Sequence, residues 1–203
     1  MPTERRIEAV AAEVTEKYER LGYDVEEFVG PAERPDAEEF YLYLSSGGSS
    51  LYLTFYTDFD AVGVAYPYTV TRAVGRKLTE TQREHVVDAT DSDGVEPTPE
   101  SVGRLVLEQT DSDTVHELRF RLADHAGSPL VGVQFDTTDD GAPTRFRSYV
   151  SLLPYADSFD LQTLDTRTDM VLTAGANGNR FVRDALTVDT DGDPSEYGVE
   201  LRF

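Results

Sequence analysis

The chain has 203 residues, no cysteine, and 39 Asp plus Glu against 18 Lys plus Arg, for a net charge of −21. That length supports one medium domain or two small ones with a real core. Disulfides, thiolate nucleophiles and cysteine metal sites are excluded, and the negative field opposes nucleic acid.

The charge is lopsided as well as large, because Lys17 and Lys77 are the only lysines and the other basic residues are arginines. Self-repulsion of this size costs stability in dilute buffer. In molar salt the screening length falls to about 3 Å and most of that cost disappears. The composition therefore points to a halophile's cytoplasm, or to a virus particle in the same high-salt environment. The amphipathic N-terminal segment is neither a signal peptide nor a membrane span, and no apolar run is long enough to cross a bilayer.

In chain order, residues 4–21 read as a helix, with Ile7, Val10, Ala11, Val14, Tyr18 and Leu21 at helical spacing and Gly22 as the stop. A loop with Pro31 and Pro35 follows. Residues 39–45 and 50–57 alternate around SSGGSS and read as a hairpin, with a third strand over roughly 61–70. Residues 72–88 carry a weaker helical pattern through Val74, Leu78, His85 and Val86. The acidic, proline-containing stretch 91–100 reads as a linker.

Strands are predicted near 102–109, 114–123, 129–136 and 144–153. A helix follows through Leu161, Leu164 and Met170, capped by Ser158, with GANGN (175–179) breaking it and RFVRDAL resuming it. The chain closes on a strand, YGVELRF. The expected organisation is a helix-plus-meander unit over 1–90, a linker over 91–100 and a second β-rich unit over 101–203. LYLSSGGSSLYLTFYTD and FRLADHAGSPLVGVQFD share an apparent strand-turn-strand order, as a duplicated β-β-β-α unit would, and as common hairpins also would. The fold class is α+β: a predominantly antiparallel sheet with the N-terminal helix and one or two further helices packed on it.

No phosphate loop, dinucleotide fingerprint, nucleophile elbow or His-Glu-x-x-His motif is present, which points away from an enzyme. No catalytic residue, cofactor-binding residue or metal ligand is assigned, and no cofactor is expected. His85, His116 and His125 are too few for a histidine-rich metal site. DTDGDPSEYGVE (189–200) places Asp189, Asp191, Asp193 and Glu200 at the spacing of a calcium loop. Pro194 occupies the position where such a loop needs glycine, and its fixed φ prevents the standard wrap. Calcium is the weaker alternative there, and a solvated acidic turn the stronger.

Two patterns remain as candidate binding residues. In LRFRL and TRFRSYV, residues two apart share a strand face, so Arg119, Arg121, Arg145 and Arg147 would line one sheet face in reach of an anion. In FYLYLSSGGSSLYLTFYTDFDAVGVAYPY (40–68), which carries only two charges, alternation separates an aliphatic side from one bearing Tyr41, Tyr43, Tyr52 and Tyr56. Tyrosine offers large contact area with a hydroxyl at its rim, as interfaces use. The leading expectation is a non-catalytic interaction protein acting through that aromatic face as an adaptor, chaperone-like subunit or assembly component, with a protein partner or self-association. The alternative is a protein that binds a small anionic ligand, or an enzyme, using the arginine-lined face.

Overall fold

The computed structural model describes residues 2–31, 38–46, 49–56, 61–90, 92, 94–152 and 161–202. Among them α1 (Pro2–Arg20) leads into strands β1 (Asp24–Pro31), β2 (Glu38–Ser46), β3 (Ser49–Tyr56) and β4 (Ala61–Thr69). Four helices follow: α2 (Val70–Gly75), α3 (Glu80–Ala89), α4 (Pro99–Gln109) and α5 (Ser112–Ala126). Strands β5 (Gly132–Thr137) and β6 (Pro143–Leu152) precede the long α6 (Leu161–Ala185), then a terminal hairpin of β7 (Leu186–Asp189) and β8 (Gly198–Leu201). The fold is α+β: an antiparallel sheet in the order β1-β2-β3-β4-β6-β5, with β7 and β8 forming a small second sheet. No helix among the described residues is long and apolar enough to cross a membrane.

The chain divides into two compact units. The first comprises Met1–Pro67, Leu130–Gly132 and Ser148–Thr173; the second comprises Tyr68–Pro129, Val133–Arg147 and Ala174–Phe203. The acidic stretch 91–100 lies within the second, between α3 and the start of α4.

In the first unit, α1 buries Ala11, Val14 and Tyr18 at three- and four-residue spacing and leaves Glu13, Glu16 and Glu19 exposed. It ends as its sequence requires. Gly22 takes φ +83°, its N–H bonds Glu19 O at 2.9 Å, and the Tyr23 N–H bonds Tyr18 O at 3.1 Å. That double closure needs a residue at positive φ, and the two tyrosine rings meet edge-on at 5.3 Å across it. The sheet contributes Leu42, Leu44, Leu53 and Val64, all fully buried, and α6 contributes Leu164 and Val171. Each such side chain contributes about 2 kcal/mol of burial. Lys17 of α1 ion-pairs with the partly exposed Asp165 of α6.

The second unit is mostly helical. Thr79 and Gln82 cap α3 reciprocally, Thr98 accepts from Ser101 N to cap α4 ahead of Pro99, and Asp111 accepts from Thr114 N to cap α5. Residues 102–109 and 114–123, expected as strands, are therefore helical. Val102, Val106, Val115, Leu118 and Leu122 recur at helical spacing and are buried on that account. The GANGN stretch does not interrupt α6. Gly178 lies against Ala126 and Phe146 so closely that a Cβ there would stand 2.6 Å from one and 2.8 Å from the other. Close packing, not a turn, accounts for that glycine. The suggested echo between the halves is not carried by the elements, since FRLAD lies in α5 whereas LYLSS lies in β2. Strands β1 and β7 are additions to what the pattern predicts.

Candidate functional site

The tyrosine face is built by register. Leu42 pairs with Leu53, and Leu53 with Val64, while Tyr43 pairs with Tyr52, and Tyr52 with Ala65. Alternation then sends the leucine line to one side and the tyrosine line to the other. The leucine line is sealed, and Tyr66, which follows Val64 on that side, is sealed with it. Tyr43 and Tyr52 are half-buried, with ring centroids 4.9 Å apart at a tilt of 46°. Such a pair is worth about 0.5–1.5 kcal/mol beyond its burial. Tyr41 lies opposite Thr54 and Tyr56 opposite Glu39 in the backbone register; their side chains lie outside the described residues. Of the four tyrosines singled out, the described side chains are thus one tilted pair in ring contact.

The four arginines do not share a sheet face, because two of them are not in a strand. Arg119 and Arg121 lie on α5, where residues two apart point to different sides. Arg121 bonds Glu117 one turn back at 2.7 Å, and the Arg119 guanidinium sits 5.9 Å from the centre of the Phe135 ring. Phe135 is on the side of β5 that packs into the helical core. Asp136, the next residue, points the opposite way, and there Arg145 and Arg147 of β6 approach it at 4.0 and 3.5 Å. The structure brings this second pair together, around a single carboxylate.

His85, His116 and His125 are exposed, the latter two on α5, where a strand was expected around His116. The His125 ring stacks on Phe181 at 4.7 Å and 15°. Among the described residues no three His, Asp or Glu side chains converge as metal ligands would. In the 189–200 loop, Asp189 accepts from Asp191 N, and Asp193 accepts from both N and Oγ of Ser195, capping a single 3-10 turn over Pro194–Glu196. Those two bonds hold the Asp193 carboxyl below the usual carboxylate range. These carboxylates serve their own turn.

Beside that turn lies a cavity of about 720 Å³ between the α4–α5 junction and the terminal hairpin, walled by Asp111, Asp113, Glu117, Asp189, Glu196 and Glu200. Chain order hides this concentration of acid, since the two contributing stretches lie about 70 residues apart in the sequence. Recurrent acidic turns are the one signal the sequence offered for it.

No protein-family model and no curated protein matches the chain. Among solved structures it is similar to a crystal structure of an uncharacterized protein from Methanothermobacter thermautotrophicus, at 13% identity and a TM-score of 0.46, over 85% of this chain and 96% of that one.

Proposed function

We propose that this is a non-catalytic contact protein of a halophile, an adaptor, chaperone-like or assembly subunit of the cytoplasm or of a virus particle, whose protein partner docks on the tyrosine side of the first unit's sheet. The observation that carries the proposal is the contrast across one sheet. Leu42 and Leu53 are completely sealed, while Tyr43 and Tyr52, their sequence neighbours on the opposite side, stay half-buried as a tilted ring pair. A solvent-facing strand surface in a chain of net charge −21 would be expected to carry carboxylates. This one has Glu26 opposite Tyr43 at its β1 edge, but its β2–β3 centre carries aromatic rings, the residues enriched where proteins meet.

Light scattering tests it, in about 3 M KCl where surface repulsion is screened. The wild-type chain is expected to behave as an oligomer or to retain a stoichiometric protein partner. The Tyr43→Asp, Tyr52→Asp double variant is expected to lose that association while keeping its fold by circular dichroism. A monomer that retains nothing overturns the proposal. The halophile component is checked by thermal melts, whose midpoint is expected to rise from about 0.1 to 3 M KCl. A midpoint that stays flat would remove it.

A further inference from the structure

We propose that the outward face of β5–β6 in the second unit is a docking site for an extended acidic protein segment, held by Arg145 and Arg147. Several other arginines of this unit each have a carboxylate of their own, among them Arg72 with Glu100 at 2.8 Å, Arg104 with Glu108 at 2.9 Å and Arg121 with Glu117 at 2.7 Å. Arg145 and Arg147 instead share Asp136 at 4.0 and 3.5 Å, beyond the roughly 2.7–2.9 Å of a charge-assisted hydrogen bond. Carboxylates outnumber cations 39 to 18 in this chain, so scarcity of acid does not explain the sharing. Two guanidinium forks over one carboxylate leave donors and one positive charge facing outward.

The surroundings suit an incoming strand. Phe146, between the two arginines, points inward and is fully buried, whereas the Arg145, Arg147 and Asp136 side chains are 46%, 41% and 40% exposed. The strand β5 that carries Asp136 ends the sheet order. Alternate residues of a strand stand about 7 Å apart, and carboxylates two residues apart on an extended segment have the same spacing. Planar carboxylates match the guanidinium fork, and contact-range hydrogen bonds survive the molar salt that removes long-range fields. A nucleic-acid backbone asks for a longer basic track, and the β5–β6 turn carries Asp139 and Asp140 instead.

The test is fluorescence anisotropy of a labelled decapeptide of alternating Glu and Thr, titrated with the full chain in about 2 M KCl, with an alternating Gln and Thr peptide and an oligonucleotide of equal charge beside it. The Glu peptide is expected to bind and the Gln peptide not. Arg145→Gln and Arg147→Gln are each expected to weaken binding about tenfold. Asp136→Asn, which removes the competing carboxylate, is expected to tighten it several-fold, a gain that a damaged fold would not produce. Equal binding of both peptides, binding unaffected by either arginine change, no binding at millimolar chain, or preference for the oligonucleotide would each overturn the proposal.

Discussion

Helices α2 and α4 cross where two glycines face each other's backbone, and Gly103→Ala tests how firmly that crossing is fixed. A Cβ on Gly103 would stand 1.8 Å from Thr71 O and 2.8 Å from Gly75 N; one on Gly75 would stand 1.9 Å from Pro99 O. The obstructing atoms are main chain, so no side-chain rotation relieves them. The helices would have to part by about an ångström, and a gap of that size forfeits a quarter to a half of each dispersion contact along the seam. That seam includes Val70, Val74, Val102 and Val106, all fully buried. Overpacking of this severity costs about 3 kcal/mol or more. Helix propensity alone argues the reverse, a gain of about 1 kcal/mol on replacing an interior glycine by alanine, so the sign of the result decides between local preference and packing. A loss of about 3 kcal/mol lowers the melting midpoint by about 6–12 °C in a chain of this size. Gly94→Ala serves for comparison. Gly94 has φ +86° and nothing within 4 Å of its missing Cβ, so it should lose only about 1 kcal/mol. Thermal melts by circular dichroism in high salt measure both. A Gly103→Ala chain as stable as wild type, or less perturbed than Gly94→Ala, would refute the packing argument.

Two further outcomes follow from single side chains. Tyr18 is buried, which pushes its hydroxyl up from 10.0 to about 12, with the Thr168 hydroxyl offsetting part of the rise. Its folded-state value lies above its unfolded one, so its contribution is complete below pH 10 and is lost as pH climbs toward 12, by up to about 1.4 kcal/mol per pH unit. Tyr18→Phe should flatten that alkaline fall in denaturant melts, and an unchanged slope would show that another group governs it. Thr79 accepts from Gln82 N while Gln82 Oε1 accepts from Thr79 N at 2.9 Å. Thr79→Ala should therefore cost about 1 kcal/mol, read as a lowered urea midpoint at constant slope, and no change would mean that this cap is redundant.

In the first third of the chain, β1 apart, the pattern allowed one interpretation. The GG-centred hairpin and the stop at Gly22 left helix and strand nothing to compete over. The middle third was ambiguous for a physical reason. LRFRL alternates perfectly, yet Leu118 and Leu122 are also four apart and continue a stripe from Val115 to Ala126. Phe120 distinguishes the two interpretations: a strand would bury it with Leu118 and Leu122, whereas the helix leaves it 68% exposed. The deciding signals were the capping residues Thr98, ahead of Pro99, and Asp111, which a period count passes over. The four-arginine face fails for the same reason, because Arg119 can meet Arg145 on one face only if both stand in neighbouring strands, and Arg119 is on α5. β1 went unseen because Glu26 and Glu27 break its alternation. It lies at the sheet edge, where charge blunts pairing with other chains.

The two lysines show the same logic in the opposite direction. In a chain that otherwise uses arginine throughout, each lysine is spent on α6. Lys17 ion-pairs with Asp165 in its first turns, and Lys77 donates to the main-chain Arg183 O near its end at 2.9 Å. Burial lowers the Lys77 ammonium below its ordinary value, against a smaller opposing pull from Asp184. A helix-terminal carbonyl offers a single acceptor, which a compact ammonium can satisfy and a planar five-donor fork cannot saturate. Arginine is the better ligand where two planar acceptor atoms present themselves in the open, as a carboxylate does at Asp136. The Arg145–Arg147 pair, sharing Asp136 in the open, is thus suited to planar anions arriving from outside, whereas both lysines bond within the fold.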